Sequence, residues 1–423
     1  MRAFLVLTAI LLLATSALDT VGQSTGPSLI DIEKVRLGLE YIKATEPETI
    51  QEQIRITEIP APPFKEARRA EYFRKKFQEL GLKNVRIDEV GNVIGERPGT
   101  GGSAAPTMVL AAHLDTVFDD EVVKVTREGN LIKGLGIGDD GRGLTLLITM
   151  VRTLNELKID TVGNLIVVAN VGEEGLGDLR GTRHLFAKEL KGKVTHFISI
   201  DGTGLGITNG AVGSYRYRVT FKGPGGHSYG AFGMPNPIHA LGRAIEKISK
   251  FQVPTDPKTT FNVGRIEGGT SVNSIAHTAS FEIDMRSVSK AELEKMDASF
   301  KKAVQVSLNE ENGRWTSPRK ITVDMSQVGS RPTGEQKADA LIVRAALEAD
   351  KALGIKSELD AGSTDSNIPI SLGIPAITID GGGLGRGAHS PDESWDATDS
   401  HLGSQRAFLA ILGILGVDSR SPK

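Results

Sequence analysis

Five short stretches of this sequence set histidine or acidic residues at the ends of apolar runs, four of them with glycine. VLAAHLDTV places His113 and Asp115 two positions apart, and the period of a strand points both side chains the same way. An imidazole and a carboxylate on one face are what a metal ligand and its orienting partner need; alone, such a pair is usually a surface accident. GLGIGDDGRG sets Asp139 and Asp140 ahead of an apolar helix, where an acid pair can equally serve as cap and dipole compensation. In LIVVANVGEEGLGDLRG, Glu173 and Glu174 follow a continuous apolar strand. Adjacent carboxylates repel unless a cation lies between them or one is protonated. A metal with its water resolves the conflict, one Glu ligating and the other taking the proton; the plain alternative is a solvated acid pair. Asp201 ends the strand of HFISIDGTG, and His389 stands in the glycine-rich loop AITIDGGGLGRGAHSPDE, which lacks the Lys-Ser/Thr ending of a phosphate loop.

Each signal is soft singly, but together they place ligand-type residues beyond the C-terminal ends of strands, where open α/β sheets build their sites. Two imidazoles and three carboxylates without cysteine suit a hydrolytic zinc or a related divalent ion. They are enough for two ions roughly 3.5–4 Å apart that share one carboxylate.

The elements that must position these residues alternate between strand and helix. Helices are expected from about Asp31 to Thr45 and from Glu66 to Leu80, with a proline-rich loop at Ile59–Pro63 between them. Strands at Met108–Ala112, Asn164–Asn170 and His196–Ile200 are interleaved with helices at Gly143–Leu157 and Thr182–Leu190, the pattern of an α/β sheet covered on both faces. The middle changes character. Strands around Tyr215–Phe221, Phe261–Ile266, Ala279–Met285 and Ile321–Met325 enclose helices at Ile238–Ile248 and Leu293–Val304, the β-α-β-β-α-β order of a ferredoxin-like unit. The expected organisation is a catalytic α/β domain in two parts, 28–211 and 328–423, with an inserted lid at 212–327. The second part carries helices at Gln336–Leu353 and Ser404–Leu415 around a strand at Ala376–Asp380.

A chain of 423 residues suits two domains. Its net charge of −2 gives no basic excess for nucleic acid or an anionic membrane. Arg2, the apolar run Ala3–Ala14 and the small residues Thr15, Ser16 and Ala17 have the layout of a secretory signal peptide. It would span residues 1–22, be cut at about 17–24, and leave a mature protein that is secreted or periplasmic, with no membrane segment. The absence of cysteine excludes disulfides and thiol chemistry.

At this point the residues resemble the M20 metallopeptidases, in motif order, spacing and inserted domain, over roughly 35–420. The resemblance implies a zinc-exopeptidase-type mixed sheet with a lid that also dimerises, and two divalent ions, Zn²⁺ ahead of Co²⁺ or Mn²⁺. It implies His113 and Asp201 on one ion, Glu174 and His389 on the other, and Asp139 bridging by motif register, with Asp140 the neighbouring alternative. Glu173 would be the general base and Asp115 the partner of His113. From the lid, GPGGHS supplies His227, which would stabilise the oxyanion in the neighbouring subunit's site. GGTSVNSIAHTASFEIDMRS supplies Asn273 and Arg286 for the substrate carbonyl and carboxylate; on sequence alone Arg286 could instead pair with the acids of its own strand. Gly362, Ser363 and Thr364 of GSTDSN would border the substrate pocket. One departure stands out: Asp139-Asp140-Gly141-Arg142-Gly143 lacks the lysine common after the bridging acid. Asp at 201 resembles the aminopeptidase, dipeptidase and tripeptidase members, so the implied activity is amide hydrolysis in short peptides. An N-acyl-amino-acid deacylase or glutamate-type carboxypeptidase is the alternative, and a metal-dead binding protein a remote one. A single-domain zinc aminopeptidase is disfavoured by the lid between Asp201 and His389.

Overall fold

The computed structural model describes residues 29–419; the expected signal peptide lies outside them. Four strands form the parallel centre of a nine-stranded sheet, in the spatial order Asn164–Asn170, Thr107–His113, His196–Ile200 and Ala376–Ile379. Antiparallel strands Val93–Arg97 and Lys83–Ile87 extend one edge. Ile207–Ala211 extends the other, pairing with Gly334–Glu335 and with Leu359–Gly362.

The central strands are buried on both faces, which is why they read as unbroken apolar runs. Met108, Leu110 and Ala112 join the larger core, built with Leu144, Leu147, Val151, Phe408 and Leu412 of the covering helices. Val109 and Ala111 face a smaller core with Leu179, Leu185, Phe186 and Phe197 on the opposite side. Helices therefore cover both faces, and the parallel strands deliver their C-terminal ends to one rim.

Residues 213–331 build a second sheet in the order Thr259–Gly268, Thr278–Ser287, Gly213–Lys222, Thr322–Arg331, all antiparallel. Helices Pro237–Ile248 and Lys290–Gly313 pack on one face, around Val219, Phe221, Leu241, Phe281, Met285, Met296 and Phe300. The lid thus has a core of its own, in the ferredoxin-like order expected. Its last strand runs to Arg331, beyond the expected end of the insert.

Three departures from the expected elements have local causes. A helix at Glu46–Thr57 was not anticipated, because its buried side chains include Thr49, Glu52 and Gln53 between the isoleucines. The strands Lys83–Ile87 and Val93–Arg97 are short and half polar. The helix expected from Gln336 begins at Leu341; the Gln336 amide instead donates to the Asn209 carbonyl, prolonging the edge pairing.

Candidate metal centre

The ligand-type residues meet at the C-terminal rim of the parallel strands. His113 closes its strand, Asp201 follows Ile200, Glu173 and Glu174 lie just past Asn170, and His389 comes ten residues after Ile379 on the glycine-rich loop. Asp139 is the hub: its Oδ1 is 3.0 Å from His113 Nε2 and its Oδ2 is 3.0 Å from His389 Nε2. Asp201 Oδ1 lies 3.9 Å from the same His113 nitrogen, and Glu174 Oε1 lies 2.9 Å from His389 Nε2. Within each of two sets, His113–Asp139–Asp201 and Asp139–Glu174–His389, the donor atoms lie within 4.8 Å of one another.

The two acids at 139 and 140 divide the roles weighed for them. Asp140 turns away, caps the helix Gly141–Glu156 through the Gly143 amide at 2.9 Å, and accepts from the His113 amide at 2.9 Å. Asp139 alone faces both imidazoles.

Asp115 departs from its expected form. His113 Nδ1 donates to the Asp115 main-chain carbonyl at 2.9 Å, whereas the carboxylate is 3.8 Å away. The carboxylate instead accepts from the amides of Gly172 (2.7 Å), Glu173 (3.2 Å) and Glu174 (2.8 Å). One residue therefore fixes the His113 tautomer with its backbone and the Glu173–Glu174 turn with its side chain. This leaves Nε2 of His113 free to face the acids.

Electrostatics favour a cation here. Burial pushes Asp201 well above the ordinary carboxylate range, and neighbouring acids add to this. Burial would lower His113, but the hydrogen bond to Asp139 and the charges of Asp140 and Asp201 outweigh it and hold the imidazole well above its usual value. Hydrogen bonds to Asp139 and Glu174 raise His389 to about 10. The crowded acids thus favour positive charge between them. Divalent metal ions would supply that charge on oxygen and nitrogen donors of the right kind.

Glu173 is buried, not a solvated loop acid, and its carboxyl is pushed up to about 8, chiefly by burial, with Arg331 opposing and Glu174 adding. Arg331 Nη1 donates to Glu173 Oε1 at 2.8 Å and to Ser363 Oγ at 3.1 Å. Arg331 was not singled out from the sequence, nor was Arg216, whose Nη1 donates to the Gly175 carbonyl at 2.7 Å. Both stand on strands of alternating polarity, where an arginine reads as part of a solvated face.

Above the ligands opens a cleft of about 410 Å³, walled by Arg216, Arg286, Arg331, Ser363 and Thr364. For Arg286 both readings hold: it lines the cleft while its Nε donates to Asp284 at 2.6 Å. Gly362 ends the strand beneath this wall, paired with Ala211. His227 and Asn273 do not line this chain's cleft. They sit together on the lid, where the Ser228 amide donates to the Asn273 carbonyl and Gly226–His227 pairs with Ser274–Ile275; both side chains are exposed.

Known proteins resemble this chain in sequence and fold. The peptidase dimerisation domain model of the M20 group matches residues 209–312, and the model for peptidase family M28 matches residues 92–219. The uncharacterised protein YqjE of Bacillus subtilis is 25% identical over 348 residues, 78% of this chain and 89% of its own. Succinyl-diaminopimelate desuccinylase of Corynebacterium glutamicum is 25% identical over 350 residues, 80% of this chain and 89% of its own. The crystal structure of a tripeptidase from Staphylococcus aureus superposes with a TM-score of 0.71 at 21% identity, covering 86% of this chain and 96% of that one.

The body, the inserted lid and the ligand cluster together define a metal-dependent hydrolase of two domains. The lid match separates it from a single-domain enzyme sharing only the body. In its lid the chain matches the M20 peptidase dimerisation domain, and in its overall fold it resembles the tripeptidase.

Proposed function

We propose that this chain is an exported exopeptidase that hydrolyses an amide bond in short peptides with two divalent ions, Zn²⁺ before Co²⁺ or Mn²⁺. His113, Asp139 and Asp201 would hold one ion, and Asp139, Glu174 and His389 the other. The observation that carries this reading is Asp139, whose two oxygens each meet an imidazole from a different donor set. When bound, the ions supply positive charge against the scissile carbonyl and lower the pKa of the attacking water.

The chain's own residues do the rest. Glu173 takes the proton of the attacking water and passes it to the leaving amine, a task suited to a carboxyl raised toward neutrality. Arg331 and the Asp115 carboxylate hold Glu173 in place from either side. The guanidiniums of Arg286, Arg216 and Arg331 lie where a substrate carboxylate would enter, with Ser363 and Thr364 beside them. His227, exposed on the lid with Asn273, would donate to the oxyanion in a neighbouring subunit's cleft, so the working form is a homodimer through the lid. The charged start and apolar run of residues 2–14 support export.

A deacylase acting on N-acyl amino acids is the second reading, favoured by the relative from Corynebacterium glutamicum that is named a desuccinylase. A product assay separates the two. Free amino acids released from di- and tripeptides, abolished by chelation and restored by zinc, cobalt or manganese, support the peptidase; release only from N-blocked substrates supports the deacylase.

A further inference from the structure

The two halves of the ligand cluster are anchored differently. His113 and Asp201 emerge directly from buried central strands. His389 stands ten residues beyond its strand, on a loop with glycines at 381, 382, 383, 385 and 387, and its side chain is half exposed. Its backbone lies in the left-handed region, at φ 62°. Such a conformation persists in a non-glycine residue only where its surroundings over-determine it.

Two buried side chains tie this loop to the body on either side of His389. Arg142, in the first turn of the helix behind Asp139, is fully buried. Its Nε donates to the Gly381 carbonyl at 2.7 Å, where the loop begins, and its Nη2 donates to the Ser400 carbonyl at 2.7 Å and Ser404 Oγ at 3.2 Å, where the next helix starts. Glu46 Oε1 lies 2.9 Å from its Nη1, and the guanidinium lies over the Trp395 ring at 5.1 Å. The fit is close enough that a Cβ on Gly381 would lie 2.6 Å from Arg142 Cγ. Glu393, four residues past His389 and also buried, reaches back the other way. Its carboxylate accepts from the amides of Gly136 (2.8 Å), Gly138 (3.0 Å) and Asp139 (3.2 Å). The Asp139 turn and the His389 loop are thus stapled at both ends, while neither staple touches the His113 or Asp201 side chain.

We propose that Arg142 and Glu393 are positioning residues that act mainly on one ion: by clamping the His389 loop to the Asp139 turn, they set the affinity of the position formed by Asp139, Glu174 and His389, while the other position, which shares Asp139, keeps His113 and Asp201 on their own strands. This rests on the two-metal reading above. The guanidinium suits the task because its planar fork holds several acceptors at fixed angles, which a lysine cannot do.

The test is a zinc titration of the full chain after chelation, against a competing chromophoric chelator. Wild type should take up two ions. Arg142→Met and Glu393→Gln should each weaken one ion by about 10–100-fold, the range for lost outer-sphere partners, and weaken the other, which shares Asp139, far less. His389→Ala should weaken the same ion, and adding Glu393→Gln to it should cause little further loss. Far-UV circular dichroism reports folding; should Arg142→Met fail to fold, Glu393→Gln, which replaces one atom, carries the test. Variants that bind both ions as wild type does, or that lose both equally, overturn the clamp while leaving the metal reading intact. Wild type that takes up no zinc overturns both.

Discussion

The body and the lid contribute to the site in opposite ways. The body gathers its donors within a single chain: His113, Asp201, Glu174 and His389, at or past the ends of four different strands, converge on a fifth donor, Asp139. The lid brings Arg216 and Arg286 to the cleft but leaves His227 and Asn273 outside it. The difference follows from how each part is built. Parallel strands buried on both faces must end at one rim, so residues just past them are forced together. The lid folds around a core of its own and is joined to the body by the chain ends at 211–213 and 331–334, with Arg216 reaching the Gly175 carbonyl beside them. Chemistry at strand ends of the body is therefore fixed by one fold, whereas chemistry on the lid edge depends on what the lid meets.

The comparison can be broken in several places. The largest effect is expected from Glu173→Gln, which should lower turnover by about 10²–10⁴-fold, the usual contribution of a general base, while both ions stay bound. Loss of metal along with activity would move Glu173 from base to ligand. Phe300→Ala, at the centre of the lid core, should cost about 3–5 kcal/mol in the melting of the lid. Ion content of the body should be unaffected, and concerted loss of metal would show the two parts to be one cooperative unit.

His227→Ala should reduce kcat by about 10²–10³-fold, as for the loss of an oxyanion donor. Mixed with Glu173→Gln chains, it should regain activity above either parent, because a hybrid dimer contains one site with both groups. Equal mixtures that stay inactive would place His227 outside the chemistry or within its own chain's site. The smallest effect is expected from Asp115→Asn. It keeps the carbonyl that orients His113 but weakens the acceptor for the Gly172, Glu173 and Glu174 amides. A loss of about tenfold in metal affinity is expected, and an unchanged affinity would show that the turn holds itself.

What could be read in the sequence divides along the same line. The donors in the body were legible because each is an unusual residue type just after an apolar run, and a run's end is a place in space as well as in sequence. His227 and Asn273 were found only through their resemblance to the M20 pattern, since an exposed hairpin has no internal signal of what it will face. Arg331, Arg142 and Glu393 were not assigned roles for a different reason. Their partners lie 158, 239 and 257 positions away, and buried hydrogen bonds at such separation leave no local periodicity. The helix Glu46–Thr57 escaped likewise, because Glu52 and Gln53 are buried through hydrogen bonds with Tyr72 and the Ile137 carbonyl, which the sequence does not display.

The proposed function requires these donors to cage two divalent ions. The most direct measurement is the metal content of the purified chain, by elemental analysis, alongside peptide hydrolysis before and after chelation. Two divalent ions per chain are expected, with activity lost as they are removed and regained as they return. A chain that keeps no ion, or that hydrolyses peptides undiminished once stripped, would contradict the proposed function.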